Sequence, residues 1–275
     1  MTTPSIEKNS ENQTTGTVES NSHVPESWKS LLRVGAITAL IAALVFRRNL
    51  GVAEIPLFTG IAVPGTVDGW FSLLHSNALL GLTLLNVFDI ANFALVGLMF
   101  LAVYLVLRPI NKNYTLIAVV LGFVGVVVYF VSNSALSMLS LSNQYASATT
   151  DTQKSTLLAA GQAVLANGYN PGAVYQSAGF YLSLLLVALA GLIMSAVMLQ
   201  SSIFSKATAY IGIVASVFDL AYLVGLTFVP VTEVYLLGIS CIASAGLLLM
   251  IWHLLIGLKL FKLSKTSQVK GGVNS

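Results

Sequence analysis

Charge is what this sequence has least of. Asp, Glu, Lys and Arg together make up 8% of its residues, whereas a water-soluble globular chain carries about 25%. With 56% hydrophobic residues and a mean hydropathy of +0.85, it is the composition of an integral membrane protein. Cysteine is nearly absent as well. Cys241 stands alone, which excludes an intrachain disulfide and any Cys-x-x-Cys metal or redox pair. No Gly-Lys-(Ser/Thr) phosphate loop, Gly-x-Ser-x-Gly elbow or His-Glu-x-x-His zinc motif occurs, so nucleotide-driven pumping, serine hydrolysis and zinc proteolysis lack their residues. The net charge of +3 is too small and scattered for a nucleic-acid partner. Residues 1–30, rich in Ser, Thr, Asn and Glu, cannot bury enough apolar surface to offset ordering entropy and are expected to form a disordered tail.

Long apolar runs are what the chain does have. A bilayer core about 30 Å thick needs about 20 apolar residues in helical form, and the runs at 31–46, 78–107, 115–136, 177–199, 207–229 and 234–258 predict six spans. The first is short, and Arg33, Arg47 and Arg48 can snorkel to close the gap. The second is longer than needed, which requires a tilt, a kink, or an interfacial start. Between the first two, residues 49–77 carry Pro56, Pro64 and several glycines, too broken a pattern for a spanning helix. Thr150 and Gln153 have capping-box spacing, and Leu157, Leu158, Gly161, Val164 and Leu165 fall on one face. These predict an extramembrane amphipathic helix over 151–167. The fold class is therefore all-α, a polytopic bundle of about six transmembrane helices between residues 31 and 262.

Six spans put both termini on one side of the membrane. That side collects most of the Lys and Arg, including Lys29, Arg108, Lys112, Lys206 and the basic tail at 263–275, while the other holds Arg47, Arg48 and Lys154. The positive-inside rule then places both termini in the cytoplasm of a cell-membrane protein. Lys259, Lys262, Lys265 and Lys270 would lie against anionic lipid headgroups. His75 and His253 fall at opposite ends of the spans and His23 in the tail, so no metal, haem or other cofactor is expected.

Two aspartates stand where charge is most costly. "NVFDIANFALVGL" (86–98) and "SVFDLAYLVGL" (216–226) place Asp89 and Asp219 inside near-copies of one phrase, each in the second helix of a three-span half. Two halves of three spans would point opposite ways, which is compatible with a 3+3 inverted repeat. An Asp at a helix centre opposes insertion by about 2.5–3.5 kcal/mol and needs an interior partner or water. Thr208, Gly212, Ala215, Ser216, Asp219 and Tyr222 share one face of the fifth span, and Asn86 and Asn92 flank Asp89 three residues either way. Asp219, Asp89, Asn86, Asn92, Ser216 and Tyr222 are thus the candidate solute-binding set, and no catalytic residue is assigned. Against this stands a bland alternative, in which the acids only hydrogen-bond neighbouring helices. An aspartyl-type intramembrane hydrolase is a third reading, but its Tyr-Asp and Gly-x-Gly-Asp phrases are missing.

The stretches "LSNQYASATTDTQKSTLLAAGQAVLA" (141–166), "VMLQSSIFSKATAYIGIVA" (197–215) and "FALVGLMFLAVYLVLRPINK" (93–112) resemble a domain-of-unknown-function family of bacterial and archaeal multi-pass membrane proteins. The resemblance implies a multi-helix membrane protein and carries no activity or site. The sequence leaves a solute- or proton-binding membrane protein as the leading functional reading, with a scaffold or sensor as its rival.

Overall fold

The computed structural model describes the backbone of residues 26–59, 63–168, 177–228 and 231–265, and the side chains of 28–44, 63–168, 177–225 and 245–265. Every regular element among them is helical: α1 (Glu26–Thr59), α2 (Val67–Ser76), α3 (Ala78–Leu84), α4 (Val87–Leu107), α5 (Lys112–Ser132), α6 (Ala135–Ser147), α7 (Asp151–Asn167), α8 (Ala178–Gln200), α9 (Lys206–Phe228) and α10 (Val231–Lys265). Of the disordered tail expected over residues 1–30, residues 26–30 instead open α1; its earlier part, the side chains of Arg47, Arg48 and Cys241, and Lys270 lie outside the described residues.

Six of these helices form a closed ring. α1 packs on α4, α4 on α5, α5 on α8, α8 on α9, α9 on α10, and α10 returns to α1. Within lipid, such packing depends on close approach rather than on expelling water, and small residues supply it. Phe100 fills the notch left by Gly122, with Ala190 of α8 beside it, while Ser195 and Trp252 crowd the space over Gly212. The outer surface is apolar: Leu116, Val120, Val124, Val127 and Val131 run down one exposed face of α5, and Val131 is 84% exposed. A stripe of this kind at heptad spacing has no place in water and suits lipid. Five stretches among the described residues, Val87–Leu107, Lys112–Ser147, Ala178–Gln200, Lys206–Gly225 and Ala245–Lys265, are long and apolar enough to cross a membrane. The protein is membrane-embedded and multi-pass.

The ring has two unlike ends. One, the terminus end, carries the start of α1, the end of α10 and the short α4–α5 and α8–α9 connections. Its interior is packed solid by Met99, Phe100, Met194, Met198, Trp252 and Leu260. The other end carries a small helical cap, in which α2, α3, α6 and α7 bury Trp70, Phe71, Leu74, Leu85, Met138 and Leu165 around a separate core. Ser142 Oγ donates to the Phe71 carbonyl at 2.9 Å and Tyr145 OH to Asp68 Oδ1 at 3.1 Å. Thr150 and Gln153 form the expected capping box on α7, whose buried Gly161 lies under Val67 and Phe71.

Three stretches take a form that the apolar pattern alone leaves open. Residues 49–77 are largely helical: α1 continues to Thr59 and α2 begins after Thr66, whose side chain accepts from Gly69 N at 3.1 Å; Pro64 lies ahead of this N-cap, outside both helices. The run 78–107 is two helices. It breaks at Asn86, which adopts left-handed backbone at φ 57, a conformation Asn tolerates better than most residues. The Ser-rich stretch after residue 136 is α6, separated from α5 by Asn133 and Ser134 alone.

Candidate functional site

Asn86 and Asp89 belong to the joint between cap and ring. With its backbone turned left-handed, Asn86 presents its carbonyl to the end of α5, where Asn133 Nδ2 donates to it at 3.3 Å and Tyr129 OH at 3.5 Å. The same hydroxyl lies 3.4 Å from Asp89 Oδ2, and Asn133 Nδ2 also donates to the phenol oxygen at 3.3 Å. The Tyr129 ring is stacked on Phe93 at 3.9 Å. Asp89 therefore sits in the first turn of α4, where the helix dipole favours an acid, and takes part in a network fixing the break. Tyr129 and Asn133 were not singled out by sequence reasoning. Their i, i+4 spacing opposite Asn86 was the available signal, but it needs the α4–α5 register to be read.

Asp219 has different surroundings. It lies thirteen residues into α9 from Lys206, about 20 Å along the axis. Thr208, Gly212, Ala215 and Ser216 on its face are buried, whereas Tyr210, Val214, Val217 and Val224 on the opposite face are exposed. The carboxylate is thus on the ring-facing side, half-buried with Tyr222. Among the described residues no hydrogen bond or ion pair reaches it. Ser216 is buried against Gly191 of α8.

The two acids are not brought together. α4 and α9 stand across the ring, each packed on other neighbours. Register contacts between Phe93 and Tyr129, Ser132 and Gly179, and Gly191 and Ser216 place Asp219 about 15 Å deeper than Asp89 at 1.5 Å per residue. A carboxyl dyad sharing one water, as an aspartyl hydrolase requires, is not assembled.

Two further polar groups line the interior. Asn92 is 2% exposed and Ser183, on α8, is fully buried, and among the described residues neither Asn92 Oδ1 nor Ser183 Oγ has a hydrogen-bond partner. Ser183 was missed by sequence reasoning, because one Ser in "FYLSLLLV" looks like ordinary helix packing. No group of three His, Cys, Asp or Glu able to hold a metal occurs among the described residues. His253 is buried with Nδ1 2.6 Å from the Leu249 carbonyl, a packing role. A cleft of ≈ 190 Å³ opens where α5, α6 and α7 meet, lined by uncharged groups including Ser132, Asn133, Ser137 and Asn167.

No curated protein and no solved structure matches the chain. The model of one protein family matches residues 30–257, which takes in the whole cap and all but the ends of the ring, and the chain belongs to that family, the domain of unknown function DUF4386.

Proposed function

We propose that this protein binds a small solute or a proton inside the membrane at a polar site centred on Asp219, with Ser216 and Tyr222 on the same helix face. The observation that carries this is the placement of Asp219: ring-facing, half-buried, deep in an apolar helix, with no countercharge among the described residues. A carboxylate so placed needs water, a proton or a ligand. Asp89 and Asn86 are read here as parts of the cap joint, since their hydrogen bonds already employ them. The scaffold reading draws its support from that joint and does not account for Asp219.

Orientation follows from charge. Among the described residues, Lys29, Arg33, Arg108, Lys112, Lys206, Lys259, Lys262 and Lys265 belong to the terminus end, and Lys154 to the cap. The cap also carries Asp68 and Asp151. Under the positive-inside rule the terminus end is cytoplasmic, and its lysines meet anionic lipid. The test is carboxyl modification of the lipid-embedded protein by a hydrophobic carbodiimide, with sites located by mass spectrometry. Label on Asp219 supports a reactive intramembrane acid; label confined to Asp89 and exposed acids contradicts it.

A further inference from the structure

Three helix ends meet where the ring passes into the cap. α5 stops at Ser132, α6 starts at Ala135 and α7 stops at Asn167. Gly168 lets α7 close down on this junction, because a Cβ there would come within 2.6 Å of Ser134 Cβ and 2.8 Å of the Ser132 carbonyl oxygen. The three ends still leave space between them. It is the cleft of ≈ 190 Å³, walled in part by Val131, Ser132, Asn133, Ser137, Ala163 and Asn167. Pockets that enclose a drug-sized ligand measure about 300–1,000 Å³, so this cleft takes a smaller group and leaves the rest of the molecule outside.

Outside it lies the lipid-facing surface. Val131 is both a wall of the cleft and the cap-side end of the exposed stripe Leu116, Val120, Val124, Val127 and Val131 on α5. From Val131 to Val120 the helix descends eleven residues, about 16 Å, and one leaflet is half of a hydrocarbon core about 30 Å thick. An acyl chain laid along this stripe therefore brings its headgroup to the cleft.

The walls decide which headgroup fits. None of the residues lining the cleft is charged. Lys154, the one Lys or Arg in α2, α3, α6 and α7, stands near the other end of α7, thirteen residues from Asn167 and about 20 Å away. An ionised headgroup would leave water here without a countercharge, which is costly. Hydrogen-bonding groups are at hand instead: the side chains of Ser137 and Asn167 are exposed and make no hydrogen bond among the described residues. The ends of α5 and α7 bring C-terminal carbonyls to the junction, and α6 brings an N-terminus with no side-chain cap. Two negative helix ends against one positive disfavour an anion. Hydroxyl groups, which donate and accept alike, match the mixture.

We infer that this cleft is a lipid site that takes the uncharged, hydroxyl-rich headgroup of a glycolipid, with an acyl chain along the outer face of α5. It is separate from Asp219 and independent of the function read there.

The test is lipid retention by the full chain. Protein in phosphatidylcholine nanodiscs doped with equal amounts of monogalactosyl diacylglycerol and phosphatidylglycerol is released into mild detergent, and its bound lipids are counted by native mass spectrometry. Two sets of substitutions at exposed positions act on the cleft alone: Ser137→Ala with Asn167→Ala removes its side-chain partners, and Ala163→Phe fills it. The expected result is one retained galactolipid, weakened by about fivefold or more in either variant, as the loss of two neutral hydrogen bonds implies. Phosphatidylglycerol held elsewhere should be indifferent to both. No retained galactolipid, retention unchanged in both variants, or a phosphatidylglycerol adduct that these substitutions weaken instead would overturn the site. Methyl galactoside, the same headgroup without chains, distinguishes the source. It should fail to displace the galactolipid at equal concentration; displacement would show a site for soluble sugar and overturn the lipid assignment.

Discussion

Removing the Tyr129 hydroxyl separates the two aspartates more sharply than any change to the acids themselves. Tyr129 is 1% exposed, stacked on Phe93, and donates toward Asp89 Oδ2 at 3.4 Å. That distance is long beside the usual O–H···O range, so the bond belongs at the weak end, and side-chain hydrogen bonds between membrane helices average about 0.6 kcal/mol. Tyr129→Phe should therefore destabilise the protein by about 0.5–1 kcal/mol, while Tyr129→Ala, which also removes the stacked ring, should cost about 3–5 kcal/mol. The assay is unfolding in mixed micelles, run as a double-mutant cycle with Asp89→Ala. A coupling energy of about 0.5 kcal/mol is expected between Asp89 and Tyr129. If Tyr129→Phe costs as much as Tyr129→Ala, or if the coupling is zero, Asp89 is not held by this phenol and its assignment to the joint fails.

Other perturbations have equally definite outcomes. Gly212→Ala would set a methyl against Ser195 and Trp252 and should lower stability by about 1–3 kcal/mol; Gly97→Ala, whose new methyl meets Phe123 and Val126 at 3.6 and 3.7 Å, should be near neutral in the same unfolding assay. Thr150→Ala breaks the capping box of α7 and should cost about 1 kcal/mol, seen as faster amide exchange in the first turns of α7 with the spans unchanged. In the cap, Tyr145 is raised above the ordinary phenol range by its hydrogen bond to Asp68, then by desolvation and by the charge of the same carboxylate. Folding thus favours the protonated phenol, and this contribution is present below about pH 10, the unfolded value, and is lost as pH rises through the folded one. Tyrosinate absorbance should show a late-titrating component that moves earlier in Asp68→Asn.

The spans were legible because their signal is thermodynamic and local: twenty apolar residues leave a helix in lipid little alternative. The α7 helix was legible for a similar reason, since Thr150 and Gln153 satisfy its first amides without help from the rest of the chain. The length of the run 78–107 already called for a tilt, a kink or an interfacial start, but the place of the break, at Asn86, was not legible. Apolar residues continue through it from 78 to 107, and the left-handed turn is fixed by Tyr129 and Asn133, more than forty positions away. Helix α6 was obscured because serine is a mediocre helix former, and it is burial of Ala135, Met138 and Ser142 against the cap that decides its state. Of the candidate residues, the ring-facing side of Asp219 could be read from periodicity alone. The separation of Asp89 from Asp219 depends on the order of helices around the ring, which no local pattern encodes.

The central claim is that Asp219 is an intramembrane acid in contact with water rather than a packing group. Infrared carboxyl titration of the protein in lipid nanodiscs, with Asp219→Asn assigning the band, tests it directly. A carboxyl band that changes reversibly with bulk pH and is missing from the Asn variant is the predicted result. A band that ignores bulk pH, in a protein whose Asn variant is equally stable, would contradict the account and leave Asp219 as part of the helix packing.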